Sequence, residues 1–174
     1  MTSTRKLGGF SLIEVLIVIS IILMIAAISI PHLMRARMAA NDSSAAKCLH
    51  PIEVGEIGYA SAYPTVGYPT TMPPLGGPDP CIPTSAAGCL IDNDLATNGG
   101  GSGKSGYQFN ATGSTSGDNP DNDEFYATAT PSSPLTGTRS FCVADDGVIR
   151  AQPPGNVNLI PSYIACLGLT SLQN

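Results

Sequence analysis

The sequence predicts an α+β fold in which a long amino-terminal α-helix packs against a small antiparallel β-sheet of three to four strands. Three observations carry this. An apolar run extends from Phe10 to Ile30 with one ionisable side chain inside it, Glu14. A stretch rich in Ala, Met, Leu and charged residues continues it to about Tyr63. Beyond a segment crowded with Pro and Gly, short runs show aromatic or branched residues at period two.

As an α-helix, Phe10 to Ile30 would span roughly 31 Å, about the thickness of a bilayer's hydrocarbon core. A carboxylate in such a segment costs on the order of 3 kcal/mol unless something pairs with it. Glu14 near the helix start can instead reach the headgroups, or act as an acid at the positive end of the helix dipole.

From His32 to about Tyr63, residues Leu33, Ala36, Ala40, Ser44 and Cys48 fall near one helical face, and the segment is read as the solvent-side continuation of a single long helix. Arg35 and Arg37 lie just outside the apolar run, where they can meet lipid phosphates or stand on a solvated face. Pro51 lacks an N–H, so a kink or a restart near Ile52 is expected.

Residues 64 to 106 read as a long surface loop, with Pro73-Pro74, Gly76-Gly77-Pro78 and Gly99-Gly100-Gly101, and at most one short helical turn near Ala86 to Leu95. Tyr107 to Thr112, Glu124 to Thr130, Arg139 to Ala144 and Val148 to Gln152 follow as strands. Asp145-Asp146-Gly147 is a hairpin signal between the last two.

The charged fraction of 12% is about half the usual level, which suits a surface covered by other copies of the chain. The net charge of −5, or −7 for the chain without Arg5 and Lys6, argues against a nucleic-acid footprint. Five cysteines in an exported chain point to an oxidising compartment. Cys81 with Cys89 and Cys142 with Cys166 are the preferred pairs, leaving Cys48 free, although spacing does not prove connectivity. Zinc is the rival reading, with only His32 and His50 and no C-x-x-C pair to serve it.

Gly9 followed by Phe10-Ser11-Leu12-Ile13-Glu14, preceded by a basic leader with Arg5 and Lys6, resembles the signal of type IV prepilins and type II secretion pseudopilins. The resemblance covers about residues 5 to 37, including Pro31, where pilin helices often bend or melt locally. It implies a leader at 1–9, a transmembrane or filament-core helix at 10–30, a continuation at 31–63 and a pilin-like globular domain at 64–174. It also implies cleavage between Gly9 and Phe10 by a membrane prepilin peptidase, methylation of the new Phe10 amine, and assembly directed by Glu14. The free amine of one subunit would pair with Glu14 of its neighbour and set the axial register.

The function so implied is that of a structural filament subunit. It is no enzyme, needs no cofactor, is held in the bacterial inner membrane by one pass and then assembles into an extracellular pilus. Its partners would be other copies of itself or related pilins, the prepilin peptidase, an inner-membrane assembly platform and lipid. A pseudopilin in a periplasmic filament is the alternative within the class, and a permanently membrane-anchored binding domain the alternative outside it. A conventional secretory signal fits poorly, because the run is too long, holds Glu14, and ends in a weak Ala26-Ala27-Ile28-Ser29 imitation of the cleavage site. A lipoprotein signal fits worse, since no cysteine follows before Cys48.

Gly101-Ser102-Gly103-Lys104-Ser105 resembles the end of a phosphate-binding loop, but Asn98 stands where that motif needs glycine and no strand precedes it. Asp118, Asp121, Asp123 and Glu124 are candidate oxygen ligands for Ca²⁺, as in the calcium loop of major pseudopilins, although their spacing is not that of an EF-hand. Asn110-Ala111-Thr112 matches a glycosylation sequon in what the signal marks as a prokaryotic chain. Two histidines in one helix supply no Ser/His/Asp or Cys/His catalytic set.

Overall fold

The computed structural model describes residues 10–117 and 121–172. Arg5, Lys6, Gly9 and Asp118 therefore lie outside the described residues. The chain divides into two compact units, the first ending at Ala36 and the second beginning at Arg37.

Helix α1 runs from Leu12 to Ala62 and is the element that both units share. It stays helical through Pro31 and Pro51, so the expected restart near Ile52 does not occur. Pro51 removes one backbone donor, and the apolar side chains on either side of it, Leu49 and Ile52, are fully buried and hold the turn in place.

In the second unit, α1 buries Ala45, Leu49, Ile52, Gly55, Glu56 and Tyr59. Of the residues that the sequence sets on one helical face, Leu33, Ala36 and Ala40 are exposed, and Ser44 and Cys48 only half-buried. The buried face lies one residue further along the chain, about 100° round the helix. It is marked by the alternating steps of four and three residues from Ala45 to Leu49, Ile52, Glu56 and Tyr59.

The sheet has five strands in the order β1-β2-β3-β4-β5, every neighbouring pair antiparallel. They are β1 Tyr107–Ser114, β2 Glu124–Pro131, β3 Phe141–Ala144, β4 Arg150–Ala151 and β5 Thr170–Ser171. Tyr107 lies opposite Pro131, and Ser114 opposite Glu124. The fifth strand was not expected: two residues are too short to show a period, and only pairing with Arg150 and Ala151 makes them a strand. Between β3 and β4 the turn closes where the Gly147 N–H donates to the carbonyl of Ala144 at 3.0 Å.

Alternation along the strands sorts the core into two layers. Tyr107, Phe109, Ala111, Ala127, Ala129, Phe141 and Val143 join Leu49, Ile52 and Tyr59 of α1 in one cluster. Cys142 and Ala144, which point the other way, pack with Ile160 and Cys166. Cys166 lies on a short helix, Tyr163–Leu167, rather than in a loop. Ser162 caps that helix by accepting from the Ala165 N–H at 3.2 Å.

The stretch from 64 to 106 is more than a surface loop. Met72, Leu75 and Leu95 enter the core beside α1. A 3₁₀ turn at Pro73–Leu75 and a helical turn at Asn93–Ala96 replace the single turn expected near Ala86 to Leu95. The Cys81–Cys89 disulfide and a bond from the Leu90 N–H to the Leu75 carbonyl at 2.8 Å tie the segment together. The next turn, Asn98–Gly101, carries positive φ at Asn98, Gly99 and Gly100, so the glycines serve a left-handed conformation that side chains resist.

Asp42 couples α1 to the sheet. Its Oδ1 accepts from the Tyr107 hydroxyl at 2.6 Å and the Thr138 N–H at 3.0 Å, and its Oδ2 from the Thr138 hydroxyl. Gly137 makes room for the tyrosine hydroxyl, because a Cβ there would stand 2.1 Å from Tyr107 Oη. Burial, and then donation to Asp42, push the Tyr107 hydroxyl above its ordinary range. Asp42→Ala should lower stability by about 2 kcal/mol, since it strips charge-assisted bonds from a buried hydroxyl and a backbone donor. Thermal melts of the two forms at one pH measure the loss.

Candidate functional site

The candidate site is the amino-terminal part of α1. Its first turn is nucleated at Ser11, whose carbonyl accepts from the Glu14 N–H at 3.1 Å and the Val15 N–H at 3.3 Å. Glu14 is the acid of that first turn. Its carboxylate stands where the unpaired N–H groups of a helix favour negative charge. Among the described residues it makes no ion pair.

One serine deeper in this stretch is accommodated locally. Ser20 Oγ donates to the Leu16 carbonyl at 2.7 Å and so presents no free donor to apolar surroundings. Glu14 is the one ionisable group of the run.

Around Glu14 the side chains are apolar and uncovered. Phe10 is 73% exposed, Leu12 81% and Ile13 64%. None of the most apolar stretch of α1 is buried by the described chain, and α1 is long and apolar enough to cross a membrane. Soluble monomers rarely expose apolar patches beyond a few hundred Å². This surface needs lipid or other helices over it.

The remaining predicted residues lie apart from this segment. Arg35 and Arg37 are exposed on α1. Cys81 is bonded to Cys89 and Cys142 to Cys166, with Cα separations of 5.9 and 6.0 Å. Cys48 carries a free thiol, half-buried against the core. Of the calcium candidates, Asp123 accepts from the Ser116 N–H at 2.6 Å and so closes its own loop. No group of three His, Cys, Asp or Glu side chains is poised for a metal among the described residues. Lys104 pairs with Asp92 at 3.6 Å, and its backbone forms a tight turn with Tyr107 rather than a phosphate cradle.

Two acids were not singled out in the sequence. Asp42 is one, and Glu56 the other. The steps of four and three residues leading to Glu56 from Ala45, Leu49 and Ile52 are the signal that places it inside the fold.

Comparison with known proteins bears on the same segment. The model of the prokaryotic N-terminal methylation motif matches residues 4–30. The chain is also 56% identical over 39 residues to the type IV wide pilus major component PilA4 of Thermus thermophilus. That match covers 22% of this chain and 30% of the relative. No solved structure matches the chain significantly. The likeness to the prokaryotic methylation motif and to a type IV pilin is thus confined to the amino-terminal segment, and the chain spans less than a third of that relative's length.

Proposed function

We propose that this chain is the structural subunit of a type IV pilus-like filament, held in a membrane by the apolar part of α1 before it is built in. The observation that carries the reading is the uncovered apolar surface of that segment with a lone carboxylate in its first turn. A helix of this kind is served equally by lipid and by a bundle of identical helices, which is what transfer from bilayer to fibre core requires.

In this reading a prepilin peptidase cuts between Gly9 and Phe10 and methylates the Phe10 amine. Glu14 is then the fifth residue of the mature chain, one helical turn from a new positive charge. Within one subunit the two sit at the same end of one helix. Between subunits displaced along the fibre they meet as a pair, and each removes the cost of burying the other.

Mass spectrometry of the mature protein from its native cells tests this. The expected result is an amino-terminal peptide that begins at Phe10 and carries one added methyl group. A mature chain that begins at Met1 would overturn the filament reading in favour of a permanently anchored domain.

A further inference from the structure

In the unit that begins at Arg37, one ionisable group is buried without any provision for its charge. Glu56 is 0% exposed, and among the described residues neither of its carboxyl oxygens has a hydrogen-bond partner. It lies on the face of α1 that carries Ile52 and Tyr59, both buried in the core. Isolated buried carboxylates take up a proton instead of bearing the desolvation cost of the charge.

We infer that Glu56 is a proton-binding site built into the fold, neutral in the native domain, whose ionisation loosens the packing of α1 against the core as pH rises.

The surroundings support this from every side that acts on the group. On α1 itself, Tyr59 is spoken for, its hydroxyl donating to the Ser85 carbonyl at 2.6 Å. Glu53 is held by His50 at 3.3 Å. From the segment after α1 comes Tyr68, whose ring packs on Phe125 at 4.8 Å between centroids. Burial, then Tyr63 and then Glu56 raise Tyr59, and burial, then Asp145 of the β3–β4 turn and then Glu56 raise Tyr68. Apart from His50, which is exposed and engaged with Glu53, these are acids or neutral groups. Burial alone pushes the Glu56 carboxyl up to about 8, and no cation offsets it.

The sign follows from proton counting. Between the ordinary carboxyl value of 4.5 and about 8, the folded chain holds a proton at Glu56 that the unfolded chain has released. Stability is therefore fully present below that window, falls as pH rises through it, and levels off above it. The unfolding constant should rise tenfold per pH unit from this group alone.

The test uses the full chain in detergent micelles, unfolded by denaturant at intervals between pH 5 and pH 9, as wild type and as Glu56→Gln. Other titrating groups, His32, His50 and Glu53 among them, are common to both proteins and cancel in the ratio of their unfolding constants. We expect that ratio to change tenfold per pH unit up to about pH 8. A ratio independent of pH would overturn the proposal. If Glu56→Gln does not fold, infrared spectra of the native wild type decide the matter. A protonated-carboxyl stretch present at pH 6 and absent at pH 9 supports the inference, and its absence at pH 6 overturns it. Neither measurement depends on whether the chain forms filaments.

Discussion

Glu14→Ala should leave leader removal largely intact and abolish filaments, with the processed subunit accumulating in the membrane. The processing proposed above would act between Gly9 and Phe10, a helical turn before Glu14, and the variant helix is at least as apolar as the original. Assembly is different. Without Glu14 the Phe10 ammonium of each incoming subunit would be buried among apolar helices with no counter-charge. Breaking a buried pair by removing one partner costs about 3–5 kcal/mol, roughly a hundredfold or more in the association constant of every subunit added. Because a filament multiplies that factor along its length, electron microscopy of sheared cells should find none, while immunoblots find mature subunit. Glu14→Asp should recover part of the assembly, as the charge is kept but set back by one methylene. Abundant filaments from Glu14→Ala would show that the pair does not govern register.

Replacing both Cys142 and Cys166 by alanine should cost about 3–4 kcal/mol, a fall in melting temperature on the order of 10 °C. The bond closes a loop with a sequence separation of 24 and joins β3 to the short helix Tyr163–Leu167. Both cysteines are fully buried with Ala144 and Ile160, and Tyr163, Ala165 and Leu169 pack partly buried against them. So small a cluster buries little area, and the cross-link adds to apolar contact in holding this layer to the sheet. The Cys81–Cys89 loop has a separation of 8. A threefold shorter loop lowers the entropic term by (3/2)RT ln 3, about 1 kcal/mol, so Cys81→Ala with Cys89→Ala should be the milder lesion. Calorimetry of the two double variants under non-reducing conditions checks both the size and the order. If losing the shorter loop costs more, the account by loop closure fails.

Much of the molecule was legible in its residues. The apolar run and its lone Glu14 identify the amino-terminal segment, because no ordinary soluble helix is apolar all round. Strand β1 could be read because its eight residues show four full periods of alternation, and β2 because it opens with two. The Asp145-Asp146-Gly147 turn could be read because turn chemistry is local.

Other features depended on contacts between residues distant in sequence. Which face of α1 is buried could not be chosen between Ser44 and Ala45, or between Cys48 and Leu49, until the sheet stood against it. Thr170 and Ser171 become a strand only beside Arg150 and Ala151, and Met72, Leu75 and Leu95 become core only because their loop folds back beside α1. Pro51 shows local propensity overruled by tertiary packing, the loss of one hydrogen bond being smaller than the burial of its neighbours Leu49 and Ile52.

The amino-terminal segment, by contrast, was legible from sequence alone, since its chemistry resides in the order of adjacent residues. Glu56 needed the tertiary structure. A glutamate on an amphipathic helix is ordinarily solvated, and what makes this one a buried acid is the enclosure formed around it by segments that follow it in the chain. Desolvation is a property of surroundings, and the surroundings exist only in the fold.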